Sequence, residues 1–590
     1  MILQALVEHY EDLATQGKLA RPGWSDSNIS YALYINDAGE LEQAVSLKRE
    51  EERGKKKVLV PRSMSLPAPV KRSSGVSSNF LWDNSSYILG IDEKGKPKRS
   101  LECFSACKVL HHQLLDGIDS PAARAVLAFF DHWDPEKARE HPVLTDKLED
   151  ILAGANLVFK CEGGFPQEDV LIRSAWQTHY DSAGDGPELV CLVTGKKGTA
   201  ETVHPSVKGV SGAQSVGAAL VSFNGEAFCS YGREQSLNAP TSKYAAFAYT
   251  SALNHLLAER DYVGRIGDTT VLFWASGGQR AYQSFSVASL FGAPTTYSVS
   301  DLQKMTLDLC QGKPVLFEET QLDPKTTFYI LGLSPNAARL SVRFFLKNSF
   351  GRFVNNIQKH YERLDIVRTG RDKFDVIYVP TLLDDVVNQK SATKLYDKLF
   401  GETISAILTN TQYPLTLRNF AYLRIRADKD ITRNQASVLK ANLLKKYELL
   451  SPNPNILEVL QVDLNESCTY PPYLLGRLFS IMEQIQLASA DWKLNRTIKD
   501  SYFTSVSATP KIIFSKLFPL NEYHLKKLKR DKFNLARKLE EEKSAIIALL
   551  NTPIPMRFTP DEVDCFYIGY YHQNCKKENE KKQKEEKDNV

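Results

Sequence analysis

Apolar residues at positions 3, 6, 7, 10 and 13 open the chain at helical spacing, with acids between them. That period predicts an amphipathic first helix. The pattern then shortens. Tyr31–Ile35 is a compact apolar run closed by the turn signal Asn36-Asp37-Ala38-Gly39, and strand-like segments recur at Leu189–Val193, Ala218–Phe223, Thr270–Trp274 and Thr327–Leu331. Ala245–Ala258 returns to helical spacing between two of them. From about Asn356 the helical period dominates, most clearly over Arg433–Tyr447, Tyr473–Leu487 and Tyr523–Leu550. No tandem repeat is evident. These elements predict an α+β, multidomain chain: a mixed α/β region over 1–355, a mostly helical middle over 356–465, and a C-terminal helical bundle over 466–575. Residues 576–590 hold six Lys, four Glu and one Asp, too polar a segment to bury, which predicts a charged, disordered tail.

Composition narrows the class. At roughly 150 residues per domain, 590 residues predict about three to four domains. Apolar residues at 43% and charged residues at 24% are those of a packed globular chain, which excludes collagen-like and mainly disordered proteins. Lys and Arg number 74 against 70 Asp and Glu, so the formal charge is only +4. A nucleic-acid partner therefore requires local, not global, positive charge. No apolar run approaches the ~18–20 residues of a membrane span. The acids of the first helix fall where an export signal would be apolar. Nine cysteines, odd in number and without a C-x-x-C pair, read as reduced thiols of a cytoplasmic protein.

Catalytic motifs are missing. Ala213-Gln214-Ser215-Val216-Gly217 resembles a nucleophile elbow, but an elbow needs a strand before its serine, and the strand-like segment follows it. Cys103, Cys107, His111 and His112 suit zinc in type only. On a helix, Cys103 and His111 stand ~12 Å apart along the axis, too far for one ion, so Cys103, Cys107 and His111 read as a buried face. The adjacent acids Asp384-Asp385 read as a solvated pair, and Lys94-Gly95-Lys96-Pro97 as a turn. The chain shows no phosphate loop, H-E-x-x-H or G-x-G-x-x-G. No catalytic residue, metal site or cofactor is expected.

Two basic segments carry more information. From Arg53 to Arg72, seven cations (Arg53, Lys55, Lys56, Lys57, Arg62, Lys71 and Arg72) occur without an acid, and Pro61, Pro67 and Pro69 keep the stretch extended. It runs into Ser73, Ser74, Gly75, Ser77, Asn79 and Asn84, whose hydroxyls and amides suit phosphates and base edges. A solvated surface loop is the competing reading. In Tyr523–Leu550, Leu525, Leu528, Leu535, Leu539 and Ile546 trace an apolar stripe, while Lys526, Lys527, Lys529, Arg530, Arg537 and Lys538 lie largely off it. That helix either follows a phosphate backbone or is an ordinary solvated face.

Five blocks, in order, resemble the large subunit of the type I-C CRISPR Cascade surveillance complex. They are Met1–Val7 with Arg21-Pro22-Gly23-Trp24; Asn79–Asn84 with Tyr87–Gly90; Val221–Asn224 with Tyr231–Gln235, Asn238–Pro240 and Ala245–Asn254; Leu331–Phe344; and Tyr473–Leu478. The resemblance spans nearly the whole chain. It implies a non-catalytic subunit at the guide's 5′-handle end, in contact with guide RNA, the backbone and handle-end subunits, and a small subunit. It further implies that the N-terminal region reads the protospacer-adjacent motif on double-stranded target DNA and helps open it. The C-terminal bundle, similar to a Cascade small subunit, is expected to help guide displaced single-stranded DNA, and the R-loop to recruit a separate helicase–nuclease.

On this reading Lys71, Arg72, Ser73, Ser74, Gly75, Ser77, Asn79 and Asn84 read the motif, with Asn79 and Lys71 at base edges. Lys55, Lys56, Lys57, Arg62, Lys526, Lys527, Lys529, Arg530 and Arg537 hold backbones. Ser334-Pro335-Asn336 and Asn238-Ala239-Pro240 read as turns or caps. Arg339 and Arg343 would share a face if helical. Relatives can make the small subunit from an internal start; Met482 falls inside a helix, so a non-Met start near Val462 is expected. The competing classes are a nuclease or hydrolase with a dispersed active site, and a scaffold contacting only protein and guide RNA.

Overall fold

A computed structural model describes residues 1–53, 56–70, 75–93, 97–182, 186–369, 372, 374–387, 395–450 and 453–588, and at 52–53, 56–57, 181–182, 260, 395–397 and 580–588 the backbone alone. Lys55, Lys71, Arg72, Ser73 and Ser74, with the Lys94–Lys96 turn, lie outside the described residues. The chain is α+β and forms two compact units: residues 1–205 with 221–253, and residues 206–220 with 254–590. The expected boundary at 355 is therefore not where the units part.

In the first unit, α1 (Ile2–Thr15) buries Leu6, Tyr10 and Leu13, the stripe its spacing predicts. The strands β1 (Trp24–Ile29), β2 (Tyr31–Ile35), β3 (Leu41–Ser46), β4 (Arg49–Arg53), β5 (Lys56–Val60), β6 (Arg62–Pro67) and β7 (Trp82–Asn84) follow. The helices α2 (Ser85–Ile88), α3 (Pro97–Leu115), α4 (Pro121–His132) and α5 (Leu148–Leu152) precede β8 (Asn156–Lys160) and α6 (Val170–Ser182). A four-stranded sheet has the order β3-β2-β8-β7, with β2 and β8 parallel. β1 pairs with β6, and β4 with β5, both antiparallel. The β2–β3 turn ends at Gly39, at φ +79, where a Cβ would overlap the backbone of Ala128 and Phe129 on α4, so only glycine fits. One apolar cluster joins β2, α3, α4, β8 and α6 through Leu33, Cys107, Phe129, Phe159 and Trp176. The short strands β9 (Glu188–Val190) and β10 (Lys197–Thr199) pair next, so the expected strand Leu189–Val193 ends at Val190. The helix α7 (Lys243–Ala258) carries the boundary between the units.

In the second unit, β11 (Gly264–Ile266), β12 (Thr269–Ala275), α8 (Ala281–Phe291), α9 (Val299–Cys310), β13 (Val315–Phe317), β14 (Thr320–Leu322), β15 (Thr327–Asn336) and β16 (Arg339–Ser349) lead into helices. These are α10 (Phe350–Leu364), α11 (Val379–Val386), α12 (Leu395–Thr409), α13 (Leu415–Asp428), α14 (Arg433–Leu449), α15 (Pro454–Leu457), α16 (Pro471–Ser489), α17 (Ile498–Ala508), α18 (Pro510–Asp531), α19 (Phe533–Leu549) and α20 (Pro560–Asp588). The sheet order is β11-β12-β15-β16, antiparallel throughout. A single apolar cluster runs from Phe273 and Phe328 through Phe353 and Leu439 to Leu478, Leu525 and Tyr570. The expected middle and C-terminal regions therefore share one core.

Three expectations change here. Ala218–Phe223 is not a strand: only Ala218 and Ala219 form isolated bridges, to Val207 and Arg339, and no ladder follows. Tyr523–Leu550 is not one helix, because Lys532 leaves the helical region at φ −146, ψ 69 and separates α18 from α19. The tail expected to be disordered from 576 instead continues α20 to Asp588. The buried start of that helix supplies the nucleus, and Lys and Glu propagate a helix well.

Candidate nucleic-acid interface

The block Ser78–Asn84 folds as a bracket whose polar groups are turned onto its own backbone. Asn79 is 5% exposed; its Oδ1 accepts from Val70 N–H at 3.0 Å, and its N–H donates to Asp83 Oδ2 at 2.9 Å. Ser78 Oγ donates to the Asn79 carbonyl at 2.8 Å, and Trp82 Nε1 donates to the Pro67 carbonyl at 2.8 Å. Both ends of the 70–79 loop are thus tied to one buried block. On the far side, Arg99 Nη2 donates to the Gly75 carbonyl at 2.6 Å, and Gly75 sits exposed at φ +97 with open space around it.

The bracket itself is held from α3. Leu81, fully buried at φ +67, donates its N–H to His111 Nε2 at 2.9 Å. His111 Nδ1 lies 2.7 Å from the Cys107 carbonyl, so Nδ1 carries the proton and Nε2 the lone pair. Burial holds the His111 imidazole neutral, its pKa pushed down to about 4. The Cys103, Cys107 and His111 face is buried as expected, and among the described residues no group of His, Cys, Asp or Glu is arranged to hold a metal.

These contacts give two of the expected motif readers local structural bonds. The Asn79 side chain anchors the loop end, because its acceptor is spent on Val70 N–H. Asn84 is the N-cap of α2, its Oδ1 accepting from Ser86 N–H at 3.0 Å. Ser77 and Arg62 are exposed. The described strands of the cationic stretch are extended, and β5 pairs with an acidic strand: register places Glu50, Glu51 and Glu52 opposite Leu59, Val58 and Lys57, and Arg53 opposite Lys56. The run that contains no acid in sequence therefore has acids across the ladder.

In the second unit the stripe is buried through Leu525, Leu528, Leu539 and Ile546, with Leu535 half-buried. Most flanking cations are paired. Lys529 meets Glu540 at 2.7 Å, Arg530 meets Asp531 at 2.9 Å, and Arg537 and Lys538 meet Glu541 and Glu542 at 3.6 and 3.7 Å. Lys526 and Lys527 are exposed and, among the described residues, make no salt bridge. The uncompensated charge contracts to that pair.

Elsewhere, Ser215 lies in a turn without a preceding strand. Ser334-Pro335-Asn336 ends β15 of a hairpin, so Arg339 and Arg343 lie on a strand, and Arg343 pairs with Asp268 at 2.8 Å. Asp385 accepts from Thr432 Oγ1, and burial raises the pKa of both Asp384 and Asp385, so they are not a fully solvated pair. Sequence reasoning passed over Asp83 and His111 as anchors. Their signal was present only as an acid inside the Asn79–Asn84 block and a histidine on an apolar helix face.

A profile of CRISPR-associated proteins matches residues 6–577. The chain belongs to that family, Cas_Csd1. A comparison with curated proteins returns no match. Among the described residues no helix is long and apolar enough to cross a membrane.

Proposed function

We propose that the chain is the non-catalytic large subunit of a type I-C RNA-guided surveillance complex, working in the cytoplasm. In this reading the 70–79 loop reads the protospacer-adjacent motif on duplex DNA and helps open it. The lysines of α18 follow displaced single-stranded DNA, guide RNA and neighbouring subunits hold the chain in place, and a separate helicase–nuclease is recruited to cut. Family membership supports the setting, and the bond from Val70 N–H to Asn79 Oδ1 carries the assignment of the loop. In RNA-guided systems base pairing reads the long target, leaving the protein a short motif to read on duplex DNA. Such a reader needs a stiff base and a cationic crest. The bracket supplies the base, and Lys71, Arg72, Ser73 and Ser74, which lie outside the described residues, supply the cations and hydroxyls by sequence.

Three measurements test this reading. In the assembled complex, Lys71→Ala with Arg72→Ala is expected to weaken binding of motif-bearing duplex by ~5–150-fold per lost base contact while leaving assembly intact. Unchanged affinity would favour a scaffold. Asn79→Ala is expected to raise amide exchange at Val70 as it weakens target binding. A change in motif preference with Val70 protection unaltered would return Asn79 to base reading. DNA incubated with the pure chain and Mg²⁺ or Mn²⁺ should stay intact, and metal-dependent cleavage would favour a nuclease.

A further inference from the structure

The loop Phe228–Pro240 of the first unit is built to hold one ring in solvent. Tyr231 is 100% exposed, yet its backbone sits at φ +55, followed by Gly232 at +68 and Gln235 at +46. A residue with a Cβ enters this region only when its surroundings hold it there. Asn238 does the holding. Its Oδ1 accepts from Ser230 N–H at 2.8 Å, and its Nδ2 donates to the carbonyls of Arg233 at 3.0 Å and Gln235 at 2.9 Å. One amide therefore fixes both sides of the turn that carries Tyr231.

The base of this loop is stitched to two neighbouring segments. Ser236 N–H donates to the Thr202 carbonyl at 3.3 Å, Leu192 N–H to Pro240 at 2.9 Å, and Glu201 N–H to Thr241 at 2.8 Å. Those neighbouring segments expose Leu192 at 66% and Val203 at 61%. Monomeric proteins seldom gather large apolar side chains at the surface without a partner. A ring held outward against backbone preference also contributes nothing to the free chain.

Charge selects the class of partner. Segments 188–203 and 226–241 together hold three cations, Lys196, Lys197 and Arg233, against four acids, Glu188, Glu201, Glu226 and Glu234. Phosphate binding draws on uncompensated cations, and none is in excess here. An aromatic anchor with an adjacent arginine and an apolar surround is the composition of a protein–protein hot spot. Arg233 is exposed and, among the described residues, makes no ion pair.

We infer that this patch docks a different protein subunit, through a pocket apolar enough to take the Tyr231 ring and rimmed by a carboxylate for Arg233. The inference rests on the reading of the chain as a subunit of a multiprotein complex. Its test is separate from that of motif reading, since it measures assembly and not duplex affinity. Tyr231→p-benzoylphenylalanine in the full chain, irradiated within the purified assembled complex, is expected to give a nuclease-resistant adduct with another protein subunit. An adduct with RNA or DNA, an adduct with a second copy of the chain, or no adduct would overturn it. Tyr231→Gly gives an independent check. Relief of the positive φ should leave the thermal midpoint of the free chain unchanged or raised, while incorporation into the complex falls at least ~10-fold. Incorporation equal to that of the unaltered chain would also overturn the inference.

Discussion

Removal of the His111 ring should loosen the Ser78–Asn84 bracket without touching a residue on it. Leu81 occupies the left-handed region with its side chain fully buried, a state that disfavours a non-glycine residue by about 1 kcal/mol. The bond from its N–H to His111 Nε2 is the contact from α3 that holds it there. His111→Ala orphans that buried N–H, which costs about 1–3 kcal/mol. It also removes a ring packed 4.6 Å from Phe130 and 5.1 Å from Phe80, centroid to centroid. Together these place the loss at about 3–5 kcal/mol, the range for truncating a large buried side chain. Hydrogen exchange of the full chain reads this directly: protection of the Leu81 amide should fall by at least ~100-fold, at about 1.4 kcal/mol per tenfold.

Acid should act on the same bond. The folded-state pKa of about 4 lies below the ordinary 6.5, so the unfolded chain takes up the proton first as pH falls. Stability from this site is complete above pH 6.5, declines between 6.5 and about 4, and changes no further below that, for a total near 3 kcal/mol. Leu81 protection within a factor of about three of the unaltered chain in His111→Ala, or a pH profile flat from 7 to 4.5, would refute the role given to His111.

Three further outcomes follow from local geometry. Glu318 and Glu319 join β13 to β14 at φ +45 and +61, a turn that favours glycine; Glu319→Gly should raise stability by about 1 kcal/mol in thermal melts, and a lower midpoint would count against the strain. Gly476 on α16 meets α20 so closely that a Cβ would overlap the Phe566 carbonyl; Gly476→Ala should destabilise the second unit by about 1–3 kcal/mol in denaturant titration, since backbone gives way less readily than a side chain. Lys526→Ala with Lys527→Ala should reduce the salt dependence of single-stranded DNA binding by about 1.4 in log–log slope, and an unchanged slope would remove this pair from the DNA path.

Elements that bury a periodic apolar face were legible in the sequence. Tyr31–Ile35 is β2 to the residue, and Arg433–Tyr447 and Tyr473–Leu487 lie within α14 and α16. The misses arise where non-local partners decide. Ala218–Phe223 has strand-like residues, but a strand also needs a ladder, and this segment finds single bridges only. The break at Lys532 has no local marker, whereas Pro519 sits inside α18, where a sequence reading would place a break. Charge was legible as composition and not as pairing. The acids that face β5 come from the preceding strand, and those opposite Lys529, Arg537 and Lys538 come from the following turns of the same helical pair.

The candidate site shows the same limit in its amides. An asparagine beside cations and glycine is equally suited to a base edge and to an orphaned backbone group, because both requirements are met by one carbonyl and one NH₂. Burial separates the two. Asn79 is buried and satisfies Val70, while half-buried Asn84 caps α2 through Ser86, so both amides are engaged in fixing backbone. In the proposed reading, fixing Val70 and Asn79 lowers the ordering cost when the segment between them meets a base edge. On the proposed function, the buried chain of contacts from Cys107 through His111 and Leu81 to the Asn79–Asp83 pair is accordingly where substitutions remote from DNA should weaken target binding.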